Sequence, residues 1–234
     1  MSSAAQSNTI LADIIALIEE RNYLPGERLP SERELAERFG VGRGVIREAL
    51  SILESLRYIQ RKPNSGIYLN PYPEHASLET LSLFAGLGID LAVEKLDQAL
   101  EVRRILEIQA VGLACERRSD EDMANIDGIV QKFEESIGVS KAATATLDYE
   151  FHMAIFRATH NLVLMQVVSP FYVMSAHRRD RFFSDVERSR ISNSHHRRIA
   201  ECIRRRDVSG AQLIMAEHIG RVEALGHAKT LGSK

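Results

Sequence analysis

Asp148 and His152 stand four residues apart in a helical pattern whose other repeats, Phe151, Ile155 and Ala158, are apolar. Two polar groups on such a face point toward a core rather than toward water. His196 lies eleven residues before Asp207 and His218 eleven after it. If the chain reverses at Asp207, both histidines stand roughly 16 Å from the turn, at about 1.5 Å of rise per residue, and therefore level with each other. Ile214, Val222 and Leu225 flank His218 at helical spacing, again marking an inward face. Three imidazoles and one carboxylate suit a divalent transition metal, zinc first and nickel or manganese as alternatives, with open positions left for a small oxyanion. A lone histidine on an apolar face is more often a satisfied core residue, and only the convergence of four registers points beyond that. His195 has almost as good a register as His196, and spacing leaves the choice between them open. His75, His160, His177 and His227 belong to no comparable group and read as surface or cap residues.

Arg103 falls on the stripe defined by Leu96, Leu100, Leu106, Ala110 and Leu113. A guanidinium there faces inward, where an unpaired charge is costly, so it needs a partner. Glu107, one turn on, is one choice and a bound carboxylate is the other. Enzyme signatures are missing: no histidine has glutamate three residues before it, as helical di-iron sites require, and there is no glycine-rich phosphate loop or nucleophile elbow. A helical-bundle metalloenzyme with an N-terminal nucleic-acid docking module is therefore the weaker alternative.

A second constellation lies near the N-terminus. Ser31 and Glu34 form a capping-box pair, Leu35 and Phe39 share a face, and Gly40 stops the helix. The next helix carries Ile46, Ala49, Leu50 and Leu53 on a buried stripe and leaves Arg43 and Arg47 one turn apart on another. Two short helices across a tight turn make a helix-turn-helix, and arginine on its exposed strip can read guanine edges in a major groove. Tyr58–Lys62 and Ile67–Leu69 then read as two strands around the turn Pro63-Asn64-Ser65-Gly66. That hairpin is a wing, with Arg57, Arg61 and Lys62 placed to meet phosphates.

These groups need elements to hold them. Ile10, Leu11, Ile14, Ile15 and Ile18 mark a first helix over residues 8–21, which completes a three-helix core. Asn70-Pro-Tyr-Pro73 reads as the start of a linker. From residue 76 onward the pattern is helical throughout, over about 76–86, 91–117, 119–137, 142–159, 161–184, 189–206 and 208–228. The expected architecture is mainly α: a winged helix-turn-helix at 1–70 (three helices and a two-stranded wing), a linker at 71–75, and an all-α antiparallel bundle at 76–230. A net charge of −2 over 234 residues looks wrong for a nucleic-acid binder, but Arg43, Arg47, Arg57, Arg61 and Lys62 outnumber Glu48 and Glu54 within 41–62. Cys115 and Cys202 are far apart and read as core filler. No apolar run approaches the ~18 residues of a membrane span, and residues 1–9 lack a basic leader, so no membrane partner and a cytoplasmic location are expected.

The run from Pro25 to Ala36, with Val41-Gly-Arg43, Val45-Ile-Arg47-Glu-Ala-Leu50 and Gly66, resembles the GntR family of bacterial winged-helix regulators. It departs from the family at Gly42 and Gly44, where serine and threonine are common. The resemblance implies DNA contacts by Arg33, Arg43 and Arg47, with Gly66 near the minor groove. Asp148-Tyr-Glu-Phe-His152, Asn161, His196-Arg-Arg-Ile199 and Ala211–Ile219 resemble the FCD effector domain of the FadR branch. That resemblance implies Asp148, His152, His196 and His218 as metal ligands, favouring His196 over His195. It also implies that Arg103 and Asn161 face a small carboxylate effector seated with help from the metal. Because one helix-turn-helix reads only a few base pairs, the expected DNA binder is a homodimer on a palindromic operator.

Overall fold

The computed structural model describes the backbone of residues 3–89 and 93–230 and the side chains of residues 7–89 and 94–221. Val222, Leu225 and His227, used in the sequence reading, lie outside the described side chains. The chain divides into two compact units after residue 91. Among the described residues, no helix is long and apolar enough to cross a membrane.

The first unit runs α1 (Ser3–Glu20), β1 (Arg28–Leu29), α2 (Glu32–Phe39), α3 (Arg43–Ser55), β2 (Ile59–Lys62), β3 (Gly66–Leu69) and α4 (Glu79–Gly86). Ser31 caps α2: its Oγ accepts from Glu34 N, and Glu34 accepts in return from Ser31 N at 2.7 Å. Such a cap contributes about 1 kcal/mol. Gly40 ends α2 in the left-handed conformation, φ 65°. Ile14, Ile15, Leu35, Ile46, Leu50 and Leu53 are all essentially inaccessible and form one core. The wing has three strands rather than two, in the order β1-β3-β2, with Arg28 opposite Tyr68 and Lys62 opposite Gly66. The extra strand arises because Gly26, at φ 81°, turns the chain so that Gly26 N donates to Leu69 O and Leu69 N to Glu27 O. The segment after the wing is fastened down: Pro73–His75 forms a 3₁₀ turn, and Ser77 N donates to Leu56 O at 2.9 Å. Helix α4, expected at the start of the second domain, packs on this first unit. Its Phe84 is buried in the core of the unit, edge-on to Tyr58 at 5.5 Å.

The second unit holds α5 (Val93–Arg117), α6 (Asp120–Ser136), α7 (Lys141–Ala158), α8 (Leu162–Met174), α9 (Ala176–Phe182), α10 (Val186–Arg205) and α11 (Val208–Thr230). Side chains serve as N-caps: Ser119 for α6, Ser140 for α7, Asn161 for α8 and Asp185 for α10. The single helix expected over 161–184 is two. Pro170 removes one backbone donor from α8, and Ser175 ends it, its Oγ turning back to Phe171 O at 2.9 Å. Between α10 and α11 the reversal falls where expected. Arg206 adopts a left-handed φ of 58°, and Asp207 Oδ1 accepts from Gly210 N. Val111, Phe151, Ile155, Ile199, Ile203 and Met215 meet at the centre of the bundle.

Candidate functional site

Helix α7 presents Asp148 and His152 one turn apart, while α10 and α11 bring in His196 and His218 from either side of the Asp207 turn. All four side chains are buried, and one donor atom from each lies within 4.8 Å of every other. His152 Nε2 is 3.2 Å from His218 Nε2, Asp148 Oδ1 is 3.8 Å from His152 Nε2, and the same oxygen is 3.3 Å from His196 Nε2. Phe151 stacks on the His196 ring at 4.0 Å and Phe133 meets it edge-on, which fixes the ring plane. Yet neither nitrogen of His196 has a hydrogen-bond partner, although the residue is fully buried. Orphaned buried polar atoms are rare in native folds, and a cation shared with Asp148 would satisfy the nitrogen beside it. The donor set of three imidazoles and a carboxylate fits a divalent transition metal. His195, the rival by spacing, is near this group but outside it: its ring centroid is 5.6 Å from that of His218.

Behind the four lies a residue that spacing treated only as a local partner. Glu107, on α5 and completely buried, accepts from His152 Nδ1 at 2.8 Å through Oε2. Its Oε1 accepts from Arg103 Nε at 3.1 Å and from the Tyr172 hydroxyl. Arg103 also donates to Ser175 Oγ at 3.3 Å and lies over the Tyr172 ring at 4.2 Å. Of the partners considered for Arg103, Glu107 is thus in place, and the break after α8 is what delivers Ser175. Sequence reasoning did not single out Tyr172. The available signal was a hydroxyl in the apolar run of α8, which must find an acceptor when buried. Asn161 caps α8, its Oδ1 accepting from Leu164 N at 3.1 Å.

The electrostatics follow from this burial. Burial alone would raise Asp148, but the His196, His152 and His218 rings clustered around its carboxylate hold it well below the usual carboxylate range. Burial would likewise raise Glu107, and His152 and Arg103 outweigh it, bringing the carboxyl to about 2. Desolvation drives His218 far below the ordinary imidazole value, and His196 is lowered by the same cause against the opposing pull of Asp148. A neutral His196 and a neutral His218 beside an ionised Asp148 are the state a metal requires of its ligands.

In the first unit, Arg33, Arg43 and Arg47 are exposed on α2 and α3. Arg33 pairs loosely with Glu37 at 3.7 Å, and Arg47 Nε donates to Glu32 Oε2 at 2.7 Å. Gly42 caps α3 with no side-chain hydrogen bond. Lys62, at the end of β2, holds its ammonium 4.6 Å from the centre of the Tyr68 ring. Arg61 is turned inward instead, donating to Glu54 Oε2 at 2.7 Å and to Ser51 Oγ at 2.9 Å, which ties the wing to α3. Gly66 has φ 135°, and a Cβ there would meet Arg28 Nε at 2.9 Å, so the wing turn requires glycine.

Residues 6–69 match the family described as bacterial regulatory proteins, gntR family, and residues 98–221 match the FCD domain family. The HTH-type transcriptional regulator LutR of Bacillus subtilis is 29% identical over 88% of this chain and 94% of its own length. The Uxu operon transcriptional regulator of Escherichia coli is 28% identical over 95% of this chain and 89% of its own. Among solved structures, Streptococcus agalactiae GntR superposes with a TM-score of 0.50 at 26% identity, covering 92% of this chain and 98% of that one.

Proposed function

This chain belongs to the GntR family of bacterial regulators, a DNA-binding helix-turn-helix module joined to an FCD domain, and from that premise we propose that it is a metal-dependent sensor of a small organic acid. It is a transcription regulator rather than an enzyme, as its named relatives are. In this reading Asp148, His152, His196 and His218 hold a divalent ion, zinc before nickel or manganese. The ion, when bound, supplies a Lewis-acidic centre for an anionic oxygen. Arg103 offers the second anchor for a ligand carboxylate, and Asn161 at the start of α8 completes the polar set carried over from the FadR branch. The observation that supports this most is the convergence of four buried donors, His196 with neither nitrogen in an aligned hydrogen bond, in a domain of the effector-binding type.

On the DNA side, Arg33, Arg43 and Arg47 read or grip the major groove, while Lys62, Arg61 and Gly66 belong to the wing that meets the backbone. The reading includes a homodimer on a palindromic operator in the cytoplasm, because one helix-turn-helix covers too few base pairs for specific binding. Sedimentation and operator titration test it. A dimer at micromolar concentration binding two half-sites supports the reading, and a monomer binding a single half-site overturns that part. For the sensor, small carboxylates should raise the melting temperature of zinc-loaded protein more than that of chelated protein, as binding to the native state alone requires. Arg103→Ala should weaken that response.

A further inference from the structure

We infer that Glu107 is a positioning residue for the metal centre, selecting the ring tautomer of His152 that leaves Nε2 free to coordinate; the inference rests on the metal reading above. Neutral imidazole has one N–H and one lone pair, and the hydrogen bond made by one nitrogen decides which is which. His152 Nδ1 faces Glu107 Oε2 at 2.8 Å, and a carboxylate ion-paired to Arg103 through its other oxygen can only accept. A neutral His152 therefore carries its hydrogen on Nδ1, and its Nε2 lone pair points at His218 Nε2, 3.2 Å away, inside the four-residue group. With the other tautomer, two acceptors would face each other at Nδ1 and the N–H would occupy the coordination position.

Among the described residues, Glu107 is the partner of His152 Nδ1. Asp148 approaches the opposite nitrogen, at 3.8 Å from Nε2. Glu107 is in turn held from its other oxygen by Arg103 and Tyr172, so its carboxylate cannot rotate away. The same arrangement makes Glu107 the physical link between the metal ligand His152 and the guanidinium at which a carboxylate ligand would dock. Local spacing pairs Glu107 with Arg103 alone; contact across forty-five residues adds the second role.

The test uses full-length protein with zinc as the only added ligand. Zinc affinity is measured by competition with a chromophoric chelator for wild type, Glu107→Ala and Glu107→Gln, and ring-nitrogen NMR of histidine-labelled, metal-free protein reports the His152 tautomer. Wild type should show Nδ1–H and an unprotonated Nε2 at His152. Glu107→Ala should mix the tautomers and weaken zinc binding by about 10–100-fold, the usual effect of losing a group that orients a ligating histidine. Glu107→Gln keeps an acceptor, so it should lose less affinity while the Nδ1–H resonance moves upfield as a charge-assisted bond becomes a neutral one. If Glu107→Ala does not fold, the Glu107→Gln resonance decides, and an unmoved signal overturns the inference. Zinc affinity unchanged in Glu107→Ala, or Nε2–H in wild type, also overturns it while leaving the metal site standing. Wild type that binds no zinc removes the site itself.

Discussion

Arg47 Nε lies 2.7 Å from Glu32 Oε2, so an arginine of the recognition helix is ion-paired to the preceding helix across the turn. Both side chains are partly exposed, and the pair is screened enough to open when a guanine edge competes. Arg47→Ala should cost about 1–3 kcal/mol of operator binding and relax preference at one base pair per half-site. A competition assay against single-base operator variants checks this, and unchanged preference would place base reading elsewhere.

Lys62 and Arg61 should behave differently although they are adjacent. Lys62 holds its ammonium over the Tyr68 ring at the end of β2, so Lys62→Ala should weaken all sequences alike and lower the salt slope by about one unit. Arg61 is bound to Glu54 and Ser51, so Arg61→Ala should also lower the melting temperature of the isolated protein. Salt-dependent binding curves and thermal melts of the two variants separate the roles.

Gly42 opens α3 without a side-chain cap, and a Cβ there would meet nothing within 4 Å. Gly42→Ser should therefore stabilise the protein by a few tenths of a kcal/mol, roughly the difference between glycine and serine at this position. Chemical denaturation measures the change. A destabilised variant would mean that the hydroxyl does not reach the α3 amides.

Metal content should approach one ion per chain, and alanine at Asp148, His152, His196 or His218 should each reduce it. Elemental analysis of protein supplied with zinc, together with melting before and after chelation, checks this. A bundle whose four core groups bind nothing would return no stoichiometric metal and an unchanged melting temperature.

Stability of the metal-free protein should fall on mild acidification. His196 and His218 have folded values depressed below the unfolded imidazole value, so the unfolded chain binds more protons, and stability rises with pH through that window. The loss should begin as pH drops through about 6.5 and continue toward the depressed folded values. Added zinc should postpone the onset, since the same nitrogens must be stripped of metal before they take up protons. Melts at stepped pH, with and without zinc, test both halves, and flat stability from pH 7 to about 5 would contradict the assignment of two buried neutral histidines.

Much of this molecule is local chemistry and so was legible along the chain. Ser31 and Glu34, Gly40 and the alternating apolar stripe of α3 define two helices and their turn with groups only a few residues apart. The equal distances of His196 and His218 from Asp207 made a level pair readable once a reversal was assumed there. The four metal-type residues were identifiable because each sits on the apolar face of its own helix. Register alone could not separate His195 from His196, since neighbours on a helix differ by only about 100° and either can lean inward. Packing decided it: Phe151 and Phe133 enclose the His196 ring, and Asp148 stands beside its Nε2. Strand β1 was too short to carry a periodic signal and exists only because β3 offers it an edge. Helix α4 showed an apolar face, but nothing in that face said which core would bury it, and the T-shaped contact of Phe84 with Tyr58 assigned it to the first. Glu107 is the sharpest case. Its neighbour in sequence, Arg103, is visible at helical spacing, whereas its bonds to His152 and Tyr172 join three helices, and only the assembled bundle brings those atoms within reach.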